Sequence, residues 1–277
     1  MEIVNYSKLI EEIILSYENN PIDLLSLGEG STEYQYLQDL KYSYSRTVKD
    51  VSFLSPNGAS VLEIGALFGV TAIALKQLKF DVAVTEIPEF FASNKLQELY
   101  KKHAIRFDSL NLKDYRLPYP DESFDVVILC EVLEHLNFNP LPVLAEISRV
   151  LKKGGFIYIA MPNQACFDNR VKSILGKSIH SPIQYYFNQL DASKNFIVSI
   201  HWREYTMAEA TEMLNKTGFS IEREYYFSEN GPRKSTIFSM FRQFLYLFPS
   251  LRSSLVVIGK KLEATQKTNF RFTESTQ

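Results

Sequence analysis

Val61-Leu62-Glu63-Ile64-Gly65-Ala66-Leu67-Phe68-Gly69 is the stretch that decides the fold. It begins as an apolar run suited to a strand buried on both faces, then breaks at Gly65 into a tight turn. Gly69 opens a second stretch in which Val70, Ile73, Ala74, Leu75 and Leu78 recur at helical spacing. Strand, glycine turn and helix, in that order, build a ligand crevice at the carboxyl ends of an α/β sheet.

Two details restrict the ligand. A dinucleotide fingerprint takes three glycines so that the backbone can close on a pyrophosphate, whereas Gly65-Ala66-Leu67-Phe68-Gly69 supplies only the outer pair. Glu63 adds a negative charge that repels phosphate and suits an ammonium or sulfonium cation. A nicotinamide-dependent reductase is disfavoured on both counts. The next apolar strand, Asp81 to Thr85, ends in Glu86, and an acidic residue there can accept both hydroxyls of a ribose. The pattern reads as a site for a cationic nucleoside.

Two further runs, Leu117-Pro118-Tyr119-Pro120-Asp121-Glu122-Ser123-Phe124-Asp125-Val126-Val127 and Cys130-Glu131-Val132-Leu133-Glu134-His135-Leu136, complete a recognisable set. From Ala59 to Pro162 the chain resembles the class I S-adenosylmethionine-dependent methyltransferases, in the broad group that holds the ubiquinone, menaquinone, small-molecule and sugar methyltransferases. The resemblance implies S-adenosyl-L-methionine as cofactor, with contacts from Glu63, Gly65, Ala66, Gly69, Glu86, Ile87, Asp108, Ser109, Leu110 and Glu131. It also implies that Asp108 holds the adenine amino group while a following backbone amide reads the ring. A turn-capping role explains Asp108 equally well. The chain departs from the family at Leu67, which stands at the usual middle glycine and brings a side chain toward the ligand. That departure motivates an alternative, a catalytically inactive methyltransferase-like binding or regulatory protein, against which the intact Glu63, Glu86 and Asp108 count.

The implied fold is a Rossmann-like, doubly wound seven-stranded sheet, mostly parallel with an antiparallel last strand. Residues 1–58 read as an N-terminal helical cap, with helices around Ile10 and Val48 separated by a loop carrying Gly28 and Gly30. Tyr42, Tyr44 and Arg46 in this cap are candidates to touch the methionine carboxylate, or else core tyrosines and a solvated arginine. The methyltransferase domain spans 59–261, interrupted by a substrate lid at 163–200 and an aromatic insertion at 228–254, and is followed by a polar tail at 262–277. One helix is expected from Ile87-Pro88 to about Lys102, another from Pro140 to Leu151 with a Lys152-Lys153-Gly154-Gly155 cap, and a third behind a Thr206–Glu209 capping box.

At 277 residues, 45% hydrophobic and 22% charged, the composition is that of an ordinary globular chain. A net charge of −2 argues against a general nucleic-acid binder. Cys130 and Cys166 suggest neither a disulfide scaffold nor a zinc site, and with no secretory signal at Met1 to Asn5 the cytoplasm fits best. No window is a transmembrane segment, although the aromatic stretch near Phe248 leaves membrane-surface contact open.

Methyl transfer from a sulfonium needs an aligned acceptor and, for oxygen or nitrogen, loss of a proton. The partner is a small-molecule or glycan acceptor. His135, just past the fourth strand, is the first candidate base, with packing against the next helix as the other reading. His201 is the second and His180 the third, while His103 is placed on the surface. No metal site is expected, because Glu131, Glu134 and His135 cannot all face one point on a helix, and Glu134 is expected to point to solvent.

Overall fold

The computed structural model describes residues 4–24, 32–190, 200–228, 244–245 and 247–262. The Gly28–Gly30 loop, most of the aromatic insertion, residues 191–199 of the lid and the tail from residue 263 lie outside them. The strands are β1 (Ser60–Ile64), β2 (Asp81–Glu86), β3 (Arg106–Ser109), β4 (Phe124–Cys130), β5 (Leu151–Pro162), β6 (Phe219–Phe227) and β7 (Ser254–Lys261). They form one seven-stranded sheet in the order β3-β2-β1-β4-β5-β7-β6. β7 runs antiparallel to β5 and β6, and the pairings of β1 with β2 and β4, β2 with β3, and β4 with β5 are parallel. The order reverses between β1 and β4, so their carboxyl ends open the crevice.

Alternate residues of each strand feed two cores. Val61, Val126, Tyr158 and Val256 face α1 (Tyr6–Asn19), α2 (Glu33–Leu54), α3 (Val70–Gln77) and α5 (Asn94–Lys102). Leu62, Val127, Ile157 and Val257 face α6 (Leu141–Val150) and α9 (Met207–Lys216). Burial on both faces is why the strands read as continuous apolar runs.

Asn5 and Thr32 cap α1 and α2, and Glu33 accepts the N–H groups of Ile22 and Asp23 at 2.9 Å each. Both helices pack on α3, and Tyr17 donates its phenol to the Phe68 carbonyl at 2.5 Å. Further along α2, Arg46 stacks 3.2 Å over Phe227 and donates to Tyr158, while Asp50 accepts hydrogen bonds from Tyr158 and Tyr225. The N-terminal helices therefore share the core of the sheet on the face that carries α3.

Two local expectations are corrected. The single helix from Ile87 to Lys102 is α4 (Pro88–Phe91) followed by α5, because the Ser93 hydroxyl accepts the Leu96 N–H and starts a new helix. Lys152 to Gly155 do not form a helix cap; they begin β5, where the register shift opposite Phe124 and Val126 absorbs Gly154 at φ +72°. Thr206 and Glu209 do form the capping box at the start of α9.

At Gly69 the backbone sits at φ +70°, and an added Cβ would lie 2.6 Å from the ring of the fully buried Tyr100. Gly69→Ala is expected to lower unfolding free energy by about 2 kcal/mol or more, left-handed strain adding to overpacking; a urea midpoint within error of wild type would contradict this.

Candidate active site

The β1–α3 turn is left-handed at three points: Gly65 at φ +72°, Leu67 at +47° and Gly69 at +70°. The position that usually carries a glycine thus keeps a glycine's conformation with a leucine in it, at a cost of roughly 1–2 kcal/mol. Tertiary contacts hold it there. The Leu67 N–H donates to Glu86 Oε1 at 2.5 Å, and its carbonyl accepts from the Tyr100 phenol at 3.0 Å. The second Glu86 oxygen takes the Ile87 N–H at 3.1 Å, and the Gly65 N–H reaches the Thr85 carbonyl at 3.0 Å. Leu67 packs its side chain on the core face shared by α1 and α3.

Glu63 lies beneath this turn rather than at its rim, only 5% exposed. It accepts hydrogen bonds from the Thr71 hydroxyl and the Ala72 N–H at the start of α3, and its Oε2 has no hydrogen-bond partner. Burial first, and the neighbouring Glu86 second, push Glu63 up to about 8; burial pushes Glu86 up to about 7 despite its two backbone hydrogen bonds. These buried acids favour a bound cation, which would lower the cost of ionising both. Tyr44, half-buried on α2, stands near Glu63, and burial raises its phenol well above the usual range.

The adenine-side expectations meet a more engaged geometry. Asp108 lies beside Thr85 in register, and its carboxylate already accepts from Tyr119 at 2.8 Å and from Arg106 at 3.1 Å. The Leu110 N–H is donated to the Glu86 carbonyl at 2.8 Å, which leaves exposed Ser109 at the strand end as the residue facing outward. Across the crevice, Glu131 follows β4 at φ +54°, with its N–H on the Ala160 carbonyl at 2.9 Å. Unfavourable backbone conformations at Leu67 and Glu131 thus flank the switch point, where such strain tends to mark function. Arg46 is committed to Tyr158 and Phe227, as described above. Tyr17 and Tyr100 fall at the helical spacing of their segments, and nothing in that spacing marks them or Thr71 as the residues that fix the turn.

The acceptor side departs furthest from expectation. Val132 leads into a 3₁₀ turn, Leu133–His135, in which Glu134 is fully buried rather than solvent-facing, with no hydrogen-bond partner on either carboxylate oxygen. The Glu134 carbonyl accepts the N–H groups of Trp202 at 2.7 Å and Arg203 at 3.3 Å, which stitches the turn to the segment before α9. His201 is thereby brought to His135, ring centroids 4.9 Å apart and edge-on. His135 Nδ1 faces the Ile200 carbonyl at 3.0 Å, and burial with His201 alongside pushes its pKa down to about 4. His201 Nδ1 faces Glu204 at 3.1 Å, and Glu204 also accepts from Asn169 at 3.0 Å. His180 joins Gln164, Ile179, His201 and Glu204 around a small cavity under α7 (Phe167–Ile174) and α8 (Ile183–Leu190). His103 lies at the end of α5, away from this cluster. Cys130 is held up by burial, as suits a wall residue.

Known proteins resemble this chain in sequence over part of its length and in fold. The methyltransferase domain family matches residues 62–159. A probable S-adenosylmethionine-dependent methyltransferase of Mycolicibacterium smegmatis is 28% identical over 165 residues, 60% of this chain and 53% of that protein. The ubiquinone biosynthesis O-methyltransferase of Thiobacillus denitrificans is 29% identical over 108 residues, 39% of this chain and 46% of that one. The chain therefore spans about half the length of these curated relatives. Among solved structures, an Aquifex aeolicus SAM-dependent methyltransferase superposes with a TM-score of 0.51 at 15% identity, covering 94% of this chain and all of that one (100%). A chain from the complex of the Haloferax volcanii Trm112 methyltransferase activator with a methyltransferase gives 0.59 at 18%, covering 83% and 93%. The strand, the left-handed turn and the paired buried acids lie within or beside the matched segment, and the chain resembles S-adenosylmethionine-dependent methyltransferases in sequence over that segment and in fold.

Proposed function

We propose that the protein transfers the methyl group of S-adenosyl-L-methionine to an oxygen or nitrogen of a small-molecule or glycan acceptor, acting in the cytoplasm. The observation that carries this reading is the buried Glu63–Glu86 pair beside a left-handed turn, two acids that burial holds toward neutrality. Glu86 would exchange its hydrogen bond from Leu67 for the ribose hydroxyls, and Glu63 would sit under the cationic end of the cofactor. Asp108, Ser109, Leu110, Ile87 and Glu131 are the further cofactor contacts of this reading. The inactive alternative loses its motive, since Leu67 adopts the conformation that the turn requires.

The acceptor would enter past Glu131 toward His135 and His201. His201, backed by Glu204, is the better base: its partner is an acid, whereas His135 faces a carbonyl and is already a weak base. The lid exposes Ile174, Ile183, Phe187 and Leu190, and the sequence from Asn169 to Leu190 carries Arg170, Lys172 and Lys177 with no acidic residue. That surface suits an acceptor with an apolar or membrane-associated portion. No helix among the described residues is long and apolar enough to cross a membrane.

Calorimetric titration with S-adenosylmethionine and S-adenosylhomocysteine tests the cofactor, with binding expected near −8 kcal/mol, a roughly micromolar Kd. Glu86→Ala is expected to weaken both by about 1–3 kcal/mol; unchanged affinity would remove Glu86 from the ribose site. Both acids have raised pKa values, so the cation meets a partly neutral pocket at low pH. Affinity for S-adenosylmethionine is therefore expected to rise from pH 6 to pH 8, with proton release visible as a dependence of the heat on buffer. The pair's contribution to the stability of the ligand-free protein runs the other way: it is fully present below the unfolded glutamate pKa and is lost as pH rises toward about 7 to 8. Once an acceptor is in hand, His201→Ala should cut turnover by about two orders of magnitude, and near-normal turnover would return it to a structural role.

A further inference from the structure

We propose that Glu134, His135 and His201 form a binding site for a divalent transition-metal ion. Each offers one ligand atom, and the donor atoms lie within 4.8 Å of one another. Two imidazoles and one carboxylate are the donor set that zinc, cobalt, manganese and ferrous iron accept, with coordination positions left over for an exogenous ligand.

Glu134 is the independent sign of a ligand. Its side chain is fully buried, and neither carboxylate oxygen has a hydrogen-bond partner. Leaving a buried carboxylate in that state is costly, and such groups are normally paired or bound to a metal. His135 Nε2 stands 3.9 Å from Glu134 Oε1, and the Glu131 side chain also approaches that carboxylate.

The surroundings are those of a prepared site. On both histidines the outer nitrogen is engaged, Nδ1 of His135 by the Ile200 carbonyl and Nδ1 of His201 by the Glu204 carboxylate. That assigns Nε2 as the ligating atom on each ring, and carboxylate or carbonyl support of this kind orients metal-bound imidazoles. Asn169 in turn holds Glu204 from α7. The hydrogen bonds from Trp202 and Arg203 to the Glu134 carbonyl fix the two halves of the site against each other.

The role of the ion rests on the methyltransferase reading, and when bound it would take the place of His201 as the group that promotes loss of the acceptor proton; its binding does not rest on that reading. It would stand beside the carboxyl end of β4, where the acceptor is placed, and bind an acceptor hydroxyl. That hydroxyl loses its proton to water more readily on the metal. Its oxygen then bonds the methyl carbon, and the pair of the breaking carbon–sulfur bond stays on sulfur, giving S-adenosylhomocysteine. The proposal thus favours a hydroxyl over an amine as acceptor.

The full chain, washed with chelator, is titrated with Co²⁺ and followed by its visible absorption bands. A saturable single-site signal is expected in wild type, weakened at least about 100-fold in Glu134→Gln and in His201→Ala and about 10- to 100-fold in Glu204→Gln, which removes support rather than a ligand. Circular dichroism melts report whether each variant folds, and the less buried His201 and Glu204 keep the test open if Glu134→Gln does not. Absence of the cobalt signal in wild type, or equal affinity in folded His201→Ala, would overturn the site. S-adenosylhomocysteine binding, measured on the same samples, separates failure of the metal site from failure of the cofactor reading.

Discussion

The bond from the Leu67 N–H to the Glu86 carboxylate is the contact on which the crevice depends. It ties the turn after β1 to the end of β2, so the position of the glycine loop is set by the sheet rather than by the loop's own preference. Tyr17 and Tyr100 complete the hold by donating to the carbonyls of Phe68 and Leu67. A leucine in a left-handed conformation is tolerable here because its N–H and C=O are both satisfied from outside the turn.

This arrangement has an electrostatic consequence. Glu63 and Glu86 are buried close together, and each is raised toward neutrality by that burial. Much of the free energy needed to ionise them is left for a cationic ligand to supply. Ionisation of this pair therefore opposes stability, and a cation bound beside it would relieve that opposition. Across the crevice Glu134 is a third buried acid, with two imidazoles alongside.

Much of the fold was legible in the chain. The apolar runs of β1, β2, β4 and β5 can only be strands buried on both faces, and the Thr206–Glu209 box fixes the start of α9 from local chemistry alone. Misreadings came where a short-range signal had two outcomes. Ser93 sits in a helical pattern yet caps a new helix, and Lys152 to Gly155 resemble a helix end yet enter the sheet through a bulge. Glu134 was assigned to solvent because a charged residue on a turn usually belongs there; its burial follows from the docking of Trp202 and Arg203 onto its own carbonyl.

The sequence by itself determined the strand–turn–helix pattern, the acids placed at it and the resemblance to methyltransferases, since periodicity, glycine placement and motif spacing are properties of neighbouring residues. Only the tertiary structure decided that Leu67 takes up the left-handed conformation of the turn, that Asp108 is already held by Tyr119 and Arg106, and that His201 meets Glu134 and His135. Those outcomes depend on contacts between segments far apart in the chain. Such contacts follow from how the sheet and its connections pack, and no local pattern encodes them.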